Sequence, residues 1–171
     1  MGVDAVRKGL HLATRAWLDS PASRDGVFLI AGELTPEYKR SFAADLAHPS
    51  IVQLGHRRDV PDLMRQADVL LMPSIEEGSA LVCAEAIGAG CVPLASSVCI
   101  GFCQDGVNAL VHSVGDVGML KRQLTEVYED RALLARLRAG ALKTSAAATW
   151  DEAGRVLADA YRQAVKAHGG H

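Results

Sequence analysis

An α/β fold, a doubly wound parallel sheet in one domain, is what this sequence predicts, and three features carry the expectation. Short β-branched and aliphatic runs alternate with longer segments of helical period. The runs are apolar almost throughout, as strands covered on both faces are. At 171 residues the chain can bury one good core but is too short for two ordinary domains with a cleft between them.

The expected strands are residues 27–31, 51–54, 69–73, 92–95 and a short 109–111, and the expected helices between them are 9–18, 36–47, 60–67 and 79–89. Asp59 is placed to cap the third helix, with Pro61 in its first turn. Gly88-Ala89-Gly90 closes the fourth, where a glycine ends the last turn.

Beyond residue 111 the period is helical only. Val117, Leu120, Leu124 and Val127 share one face, and Val156, Leu157, Ala160, Tyr161, Ala164 and Val165 form a second stripe. Thr149 and Glu152 have capping-box spacing ahead of that stripe. The sequence enters a helix almost at once, where a doubly wound domain begins with a strand. The reading is therefore a Rossmann-like domain over residues 1–167 lacking its first strand, then a disordered tail over 168–171.

A formal charge of −2, with Lys and Arg scattered along the chain, gives no long-range attraction to nucleic acid or an anionic membrane, although one phosphorylated ligand needs only a local site. No apolar stretch approaches the ~20 residues of a membrane span, and no signal-peptide pattern opens the chain, so the expected location is cytoplasmic. Cys83, Cys91, Cys99 and Cys103 show no CxxC spacing and have no His at ligand distance in sequence. They read as reduced structural thiols, with no zinc.

In an open parallel sheet, ligands bind beyond the carboxyl ends of the strands, which places Gly32, Glu33, residues 55–57, 74–78 and 96–101 at the candidate site. The richest segment runs Pro73-Ser74-Ile75-Glu76-Glu77-Gly78 and enters a helix near Ser79 that carries Glu85. With a rise of ~1.5 Å per residue, Glu77 and Glu85 are staggered by roughly 9–12 Å. Between them the amides of Gly78, Ser79, Ala80 and Leu81 offer a partial positive charge suited to phosphate. Carboxylates accept from adjacent hydroxyls, so the order is hydroxyls, anion, hydroxyls, which matches a sugar nucleotide.

The segment resembles the E-x7-E signature of the retaining glycosyltransferases of the GT-B fold, group 1 or family 4 type, in their carboxyl-terminal domain. Glu77, Gly78, Leu81, Glu85, Ala86 and Gly90 match the pattern. So do Arg7-Lys8-Gly9, Leu54-Gly55, Gln66-Ala67-Asp68-Val69, Val92-Pro93, Asp105-Gly106-Val107-Asn108 and Gly115-Asp116, in the family's order and over nearly the whole chain.

The resemblance implies one half of a GT-B fold that binds a UDP-, GDP- or ADP-sugar and uses no cofactor. It implies that Glu85 holds the ribose hydroxyls, Glu77 approaches the transferred sugar, the amides of residues 78–81 face the diphosphate and sugar, and Lys8 neutralises the departing diphosphate. Negative charge develops on a leaving phosphate oxygen, so a cation is needed there on chemical grounds as well. Sugar, lipid or polysaccharide acceptors would bind through an amino-terminal domain, in polysaccharide or glycolipid synthesis, with the full-length protein peripheral at a membrane. The isolated domain is then expected to be inactive in transfer.

Two departures stand out. The arginine that family members carry upstream of the lysine is absent, so either Arg7 substitutes or the cation pair is incomplete. The loop 97–103 reads Ser-Val-Cys-Ile-Gly-Phe-Cys where many relatives have Gly-Gly-x-Pro-Glu, which leaves the donor sugar open. His56 and Arg57 follow a strand and either contact the nucleobase or serve the surface.

No side chain reads as a covalent nucleophile held by a base, so the family's same-face substitution, needing no metal, is the expected mechanism. A Gly-x-Gly-x-x-Gly after a strand is absent, which argues against hydride chemistry. The alternative reading is a degenerate nucleotide-binding or interaction module of the same fold without transferase activity.

Overall fold

The computed structural model describes residues 4–99 and 101–168. In chain order the elements are α1 (Leu10–Leu18), β1 (Phe28–Ala31), α2 (Pro36–Ser41), α3 (Ala43–Leu46), β2 (Ile51–Gly55), α4 (Val60–Gln66), β3 (Val69–Met72), α5 (Leu81–Ala89), β4 (Val92–Ser96), β5 (Leu110–His112), α6 (Val117–Glu129), α7 (Arg131–Thr144) and α8 (Trp150–His168). All five strands lie where the apolar runs place them, and every pairing is parallel.

The sheet itself is divided. Among the described residues β1 pairs only with β2, while β3, β4 and β5 form a second ladder. β4 is buried along its whole length, whereas Leu29 in β1 remains 41% exposed. The main core joins both ladders through α1, α6 and α7: Trp17, Ile30, Leu94, Leu124 and Leu137 belong to it. Trp17 also donates through Nε1 to Ser50 Oγ at 2.8 Å, satisfying a polar atom whose burial would otherwise be costly.

Several local expectations are corrected. The predicted helix 36–47 breaks at Phe42, whose backbone leaves helical values (φ −116°, ψ 24°) as its ring packs 4.5 Å from Tyr38. Asp59 holds the N-cap position of α4, but its carboxylate is taken by Arg57 and makes no capping bond. Only half of the capping box at α8 forms: Thr149 Oγ1 accepts from the Glu152 amide at 3.2 Å, while the Glu152 side chain turns to Arg155. Gly90 does close α5, with φ +74°.

The second apolar stripe is present on α8, but its large side chains stay exposed. Val156, Leu157, Tyr161 and Val165 are all more than half exposed. The helix runs to His168, so the proposed tail begins inside an element, and residues 169–171 lie outside the described residues. Among the described residues no helix is long and apolar enough to cross a membrane.

A buried histidine gives the fold a pH dependence. Burial pushes the His112 imidazole below its usual 6.5, against the opposing pull of its bond to Gln123 Oε1 at 3.0 Å and of the Asp116 charge. Burial moves His11 in the same direction. On acidification the unfolded chain takes up these protons first, so stability is lost as pH falls below about 6.5 towards the folded-state values. The urea midpoint should therefore drop between about pH 7.5 and about pH 5.5, with a shallower drop in His112→Gln. Equal drops in both proteins would remove His112 from this account.

Candidate functional site

The site is built where β3 ends. Ser74 is fully buried, and its Oγ donates to Glu77 Oε1 at 2.7 Å, while Ser96 at the end of β4 donates from Oγ to the Ser74 carbonyl at 2.6 Å. Two strand ends therefore fix the Glu77 carboxylate before any cation is added. Lys8 supplies the cation, with Nζ 2.5 Å from the same carboxylate oxygen. The side chains are well enclosed, Glu77 4% and Lys8 19% exposed.

Lys8 reaches this point because the chain ahead of α1 is stitched to the end of β3. The Ile75 amide donates to the Arg7 carbonyl at 2.8 Å. At Gly9 the chain passes so close to Pro73 that a Cβ would stand 2.0 Å from the Pro73 carbonyl oxygen, and φ is +70°. Only glycine meets both conditions.

The charge state of the pair follows. Burial by itself would raise the Glu77 carboxyl, but the bonds from Lys8 and Ser74 and the charges of Lys8 and Arg7 outweigh it and hold the group below its usual range. Glu77 is thus an ionised acceptor at neutral pH. The Arg7 guanidinium faces Asp4 and the Glu76 carbonyl, 3.7 and 3.4 Å away, so it adds charge to the neighbourhood without joining Glu77 directly.

The amide cradle is shifted relative to the sequence expectation. α5 starts at Leu81, two residues later than predicted, because Ala80 turns its methyl into the small core of Met72, Cys83, Ala95 and Cys99. The Leu81 amide is consequently spent on the Ser79 carbonyl at 2.9 Å. The amides of Gly78, Ser79, Ala80 and Val82 have no acceptor among the described residues. Space in front of Gly78 is open, since a Cβ there would meet nothing within 4 Å. A row of donors beside a fixed cation is an anion-binding arrangement.

Glu85 lies one turn into α5, exposed and without a hydrogen-bond or ion-pair partner among the described residues. It lines a cavity of about 790 Å³ together with Lys8, Glu33, Ser79, Ala80 and Leu81. His56 and Arg57 stand outside that lining. The His56 amide donates to Glu33 Oε1 at 3.0 Å, and the Arg57 guanidinium is held by Asp59.

Sequence reasoning placed Glu33, Ser74 and Ser96 among the strand-end residues but gave them no individual role. Their one signal was position, each following or ending a strand. Cys83 and Cys99 are buried beside the site, with Cys103 packed against their cluster, and all four thiols are free. Within loop 97–103, Ile100 lies outside the described residues. Among the described residues no group of three or more His, Cys, Asp or Glu converges as a metal site.

Comparison with known proteins places these features in a family. The family model described as "Glycosyl transferases group 1" matches residues 2–130. A D-inositol 3-phosphate glycosyltransferase of Streptomyces avermitilis is 32% identical over 143 residues, covering 81% of this chain and 31% of its own. The lipopolysaccharide glucosyltransferase WaaG of Escherichia coli K12 is 30% identical over 141 residues, covering 81% of this chain and 37% of its own.

Among solved structures, Anabaena HepE in complex with UDP superposes with a TM-score of 0.83 at 19% identity, over 95% of this chain and 47% of that one. At that identity the likeness concerns the fold. The chain spans about a third of the curated relatives it matches and about half of that solved chain. The match to the family model extends over most of the sequence, and the α/β architecture corresponds to one half of the GT-B structures it resembles; the chain belongs to the group 1 glycosyl transferases.

Proposed function

We propose that this chain is the donor-binding half of a retaining glycosyltransferase and holds a nucleotide-diphosphate sugar across the carboxyl ends of β3 and β4. The observation that carries the reading is the part-buried Lys8–Glu77 pair set beside the unpaired amides of Gly78, Ser79, Ala80 and Val82, with unpartnered Glu85 further along α5. Glu85 takes the ribose hydroxyls, the amides and Lys8 take the diphosphate, and Glu77 orients Lys8 and accepts from the sugar. HepE has been solved with UDP and with UDP-glucose, which supports UDP as the first nucleotide to test.

In transfer, the bond from the anomeric carbon to the diphosphate oxygen breaks as the acceptor oxygen bonds the same face of that carbon. The acceptor proton passes to the departing phosphate oxygen. Lys8 and the amides stabilise the charge that develops there, in an enclosed setting where such contacts act most strongly. Acceptor recognition belongs to a further domain, and the uncovered apolar face of α8 supports a larger assembly. Polysaccharide or glycolipid synthesis in the cytoplasm, peripheral to a membrane, is the biological setting of this proposal.

Calorimetric titration with UDP, GDP and ADP and their common sugar conjugates tests the reading, repeated on Glu85→Ala. One nucleotide should saturate the chain, and Glu85→Ala should weaken it about tenfold or more while changing stability by less than about 1 kcal/mol, because the exposed side chain makes no hydrogen bond or ion pair among the described residues. A large loss of melting temperature would make Glu85 a structural carboxylate. Binding indifferent to both the sugar and Glu85 would favour a non-catalytic module.

A further inference from the structure

The small core beneath the ends of β3 and β4 brings together three of the chain's four thiols. Cys83 sits in the first turn of α5 and is fully buried, Cys99 follows β4 and is buried with it, and half-buried Cys103 packs against them.

Their surroundings differ. Cys99 is committed to the strand ends: its Sγ donates to the Met72 carbonyl at 3.6 Å and lies 3.8 Å from Ser96 Oγ. Cys91 belongs to a separate cluster with Met64 and Ala86, and burial pushes its thiol up to about 12, which leaves it inert at neutral pH. Cys83 and Cys103 face each other. The Cys83 thiol donates to Cys103, and that bond holds the Cys103 thiol below its usual value against the opposing effects of burial and of Cys99. A sulfur inclined to the thiolate and reached by solvent, with a second thiol beside it, is the arrangement that oxidises to a disulfide.

The backbone around Cys103 is clamped. Asn108, 1% exposed, donates from Nδ2 to the Phe102 carbonyl at 3.0 Å and accepts at Oδ1 from the Gln104 amide at 2.7 Å, so one side chain holds the residues on both sides of Cys103. The same Nδ2 donates to Thr144 Oγ1 at 2.9 Å, which ties the clamp to α7. The start of α5 is held less firmly. No side chain caps it at Ala80, and the amides of Gly78, Ser79, Ala80 and Val82 have no acceptor among the described residues.

We propose that Cys83 and Cys103 form a reversible disulfide under hydrogen peroxide, and that closing it draws the first turn of α5 towards residues 101–104 and weakens donor binding. The Cys103 thiolate attacks the peroxide and the O–O bond breaks. One oxygen stays on sulfur as a sulfenic acid, and the other leaves as water, taking up the proton the thiolate had released. The Cys83 sulfur then attacks Cys103 Sγ, and the displaced hydroxide takes the Cys83 proton and leaves as a second water. Two thiols lose two electrons and two protons, and one peroxide becomes two waters. A covalent S–S bond is far shorter than any contact between free thiols, so one side must move. Asn108 holds the Cys103 side, and the movement falls on α5, whose start carries the amide row and, two residues beyond Cys83, Glu85. The effect on affinity rests on the donor-site reading; the cross-link does not.

The reduced 171-residue chain is treated with hydrogen peroxide, alkylated, and cut after Glu85 and after Phe102, which puts Cys83, Cys99 and Cys103 on different peptides. One link within the chain, from Cys83 to Cys103, should form, with Cys91 and Cys99 alkylated. It should persist in Cys99→Ser and vanish in Cys103→Ser. Amide exchange at residues 78–83 should change with it. Affinity for UDP, GDP or ADP, whichever binds, should fall by about tenfold or more as the anion loses aligned donors, and dithiothreitol should reverse both effects. Absence of a link, a link from Cys83 to Cys99, or links only between chains overturns the proposal. A link that leaves exchange and affinity unchanged overturns its action on α5. If the reduced chain binds no nucleotide, the donor-site reading fails, and the link together with exchange at residues 78–83 decides this proposal alone.

Discussion

Gly9→Ala lowers the unfolding free energy by about 3–5 kcal/mol. Two costs combine. A residue with a Cβ held near φ +70° carries about 1–2 kcal/mol of strain, and the new methyl would stand 2.0 Å from the Pro73 carbonyl oxygen. Neither side of that contact yields easily. Pro73 continues β3 in the interior, and the Arg7 carbonyl two residues before Gly9 is bonded to Ile75. Relief therefore requires residues 4–9 to lift from the strand end, which removes Lys8 from Glu77 and should abolish nucleotide binding as well. For a chain of this size the melting temperature should fall by roughly 10–15 °C. Gly78→Ala is the matched control, because its Cβ meets nothing, and its melting temperature should stay within about 2 °C. Similar melting temperatures for both variants would remove the close approach from the account of the fold.

The elements of this fold are legible in the sequence because their signals are local. The apolar runs at β1 to β5 are short and strongly unlike the helical segments between them. Where expectation and structure part, a specific side-chain contact that the periodicity does not encode decides the outcome. Phe42 leaves the helical path as its ring packs against Tyr38 and His11, and Ala80 delays α5 because its methyl belongs under β3 and β4. Arg57 pairs with Asp59, two residues on, a contact that its position after a strand does not indicate.

The candidate site was legible by position. Lys8, Glu77, Gly78 and Glu85 follow from the rule that strand ends carry ligands together with the family pattern. The pairing of Lys8 with Glu77 was not, since nothing in the spacing of residues 8 and 77 indicates that one cation serves one carboxylate. Ser74 and Ser96 were placed at strand ends, but their roles were illegible for the same reason: a serine there is ordinary until its hydroxyl bonds an acid or the backbone that carries it.

That pairing makes Lys8→Ala a test of structure and function at once. Removing the ammonium leaves Glu77, 4% exposed, with the Ser74 hydroxyl as its remaining close donor. Truncating one partner of a buried ion pair typically costs 3–5 kcal/mol; partial access to water on the Lys8 side should reduce this to about 2–3 kcal/mol at neutral pH. The pH response identifies the cause. In the native chain the Glu77 carboxyl lies below its usual value, so its contribution is full above about pH 4.5 and is lost as pH falls through the folded-state value. Without Lys8 the burial contribution is no longer offset, the carboxyl rises, and the variant should be least stable relative to native at neutral pH and approach it steadily as pH falls towards and below about 4.5. Lys8→Met combined with Glu77→Gln removes both charges and should return stability to within about 1 kcal/mol of native, because neutral groups of similar size leave no buried ion unpaired. Donor binding should not return with it, since the diphosphate still lacks its cation. If the double variant regains nucleotide affinity along with stability, the pair is structural and the amide cradle alone binds the anion; if it regains stability only, Lys8 acts on the ligand itself.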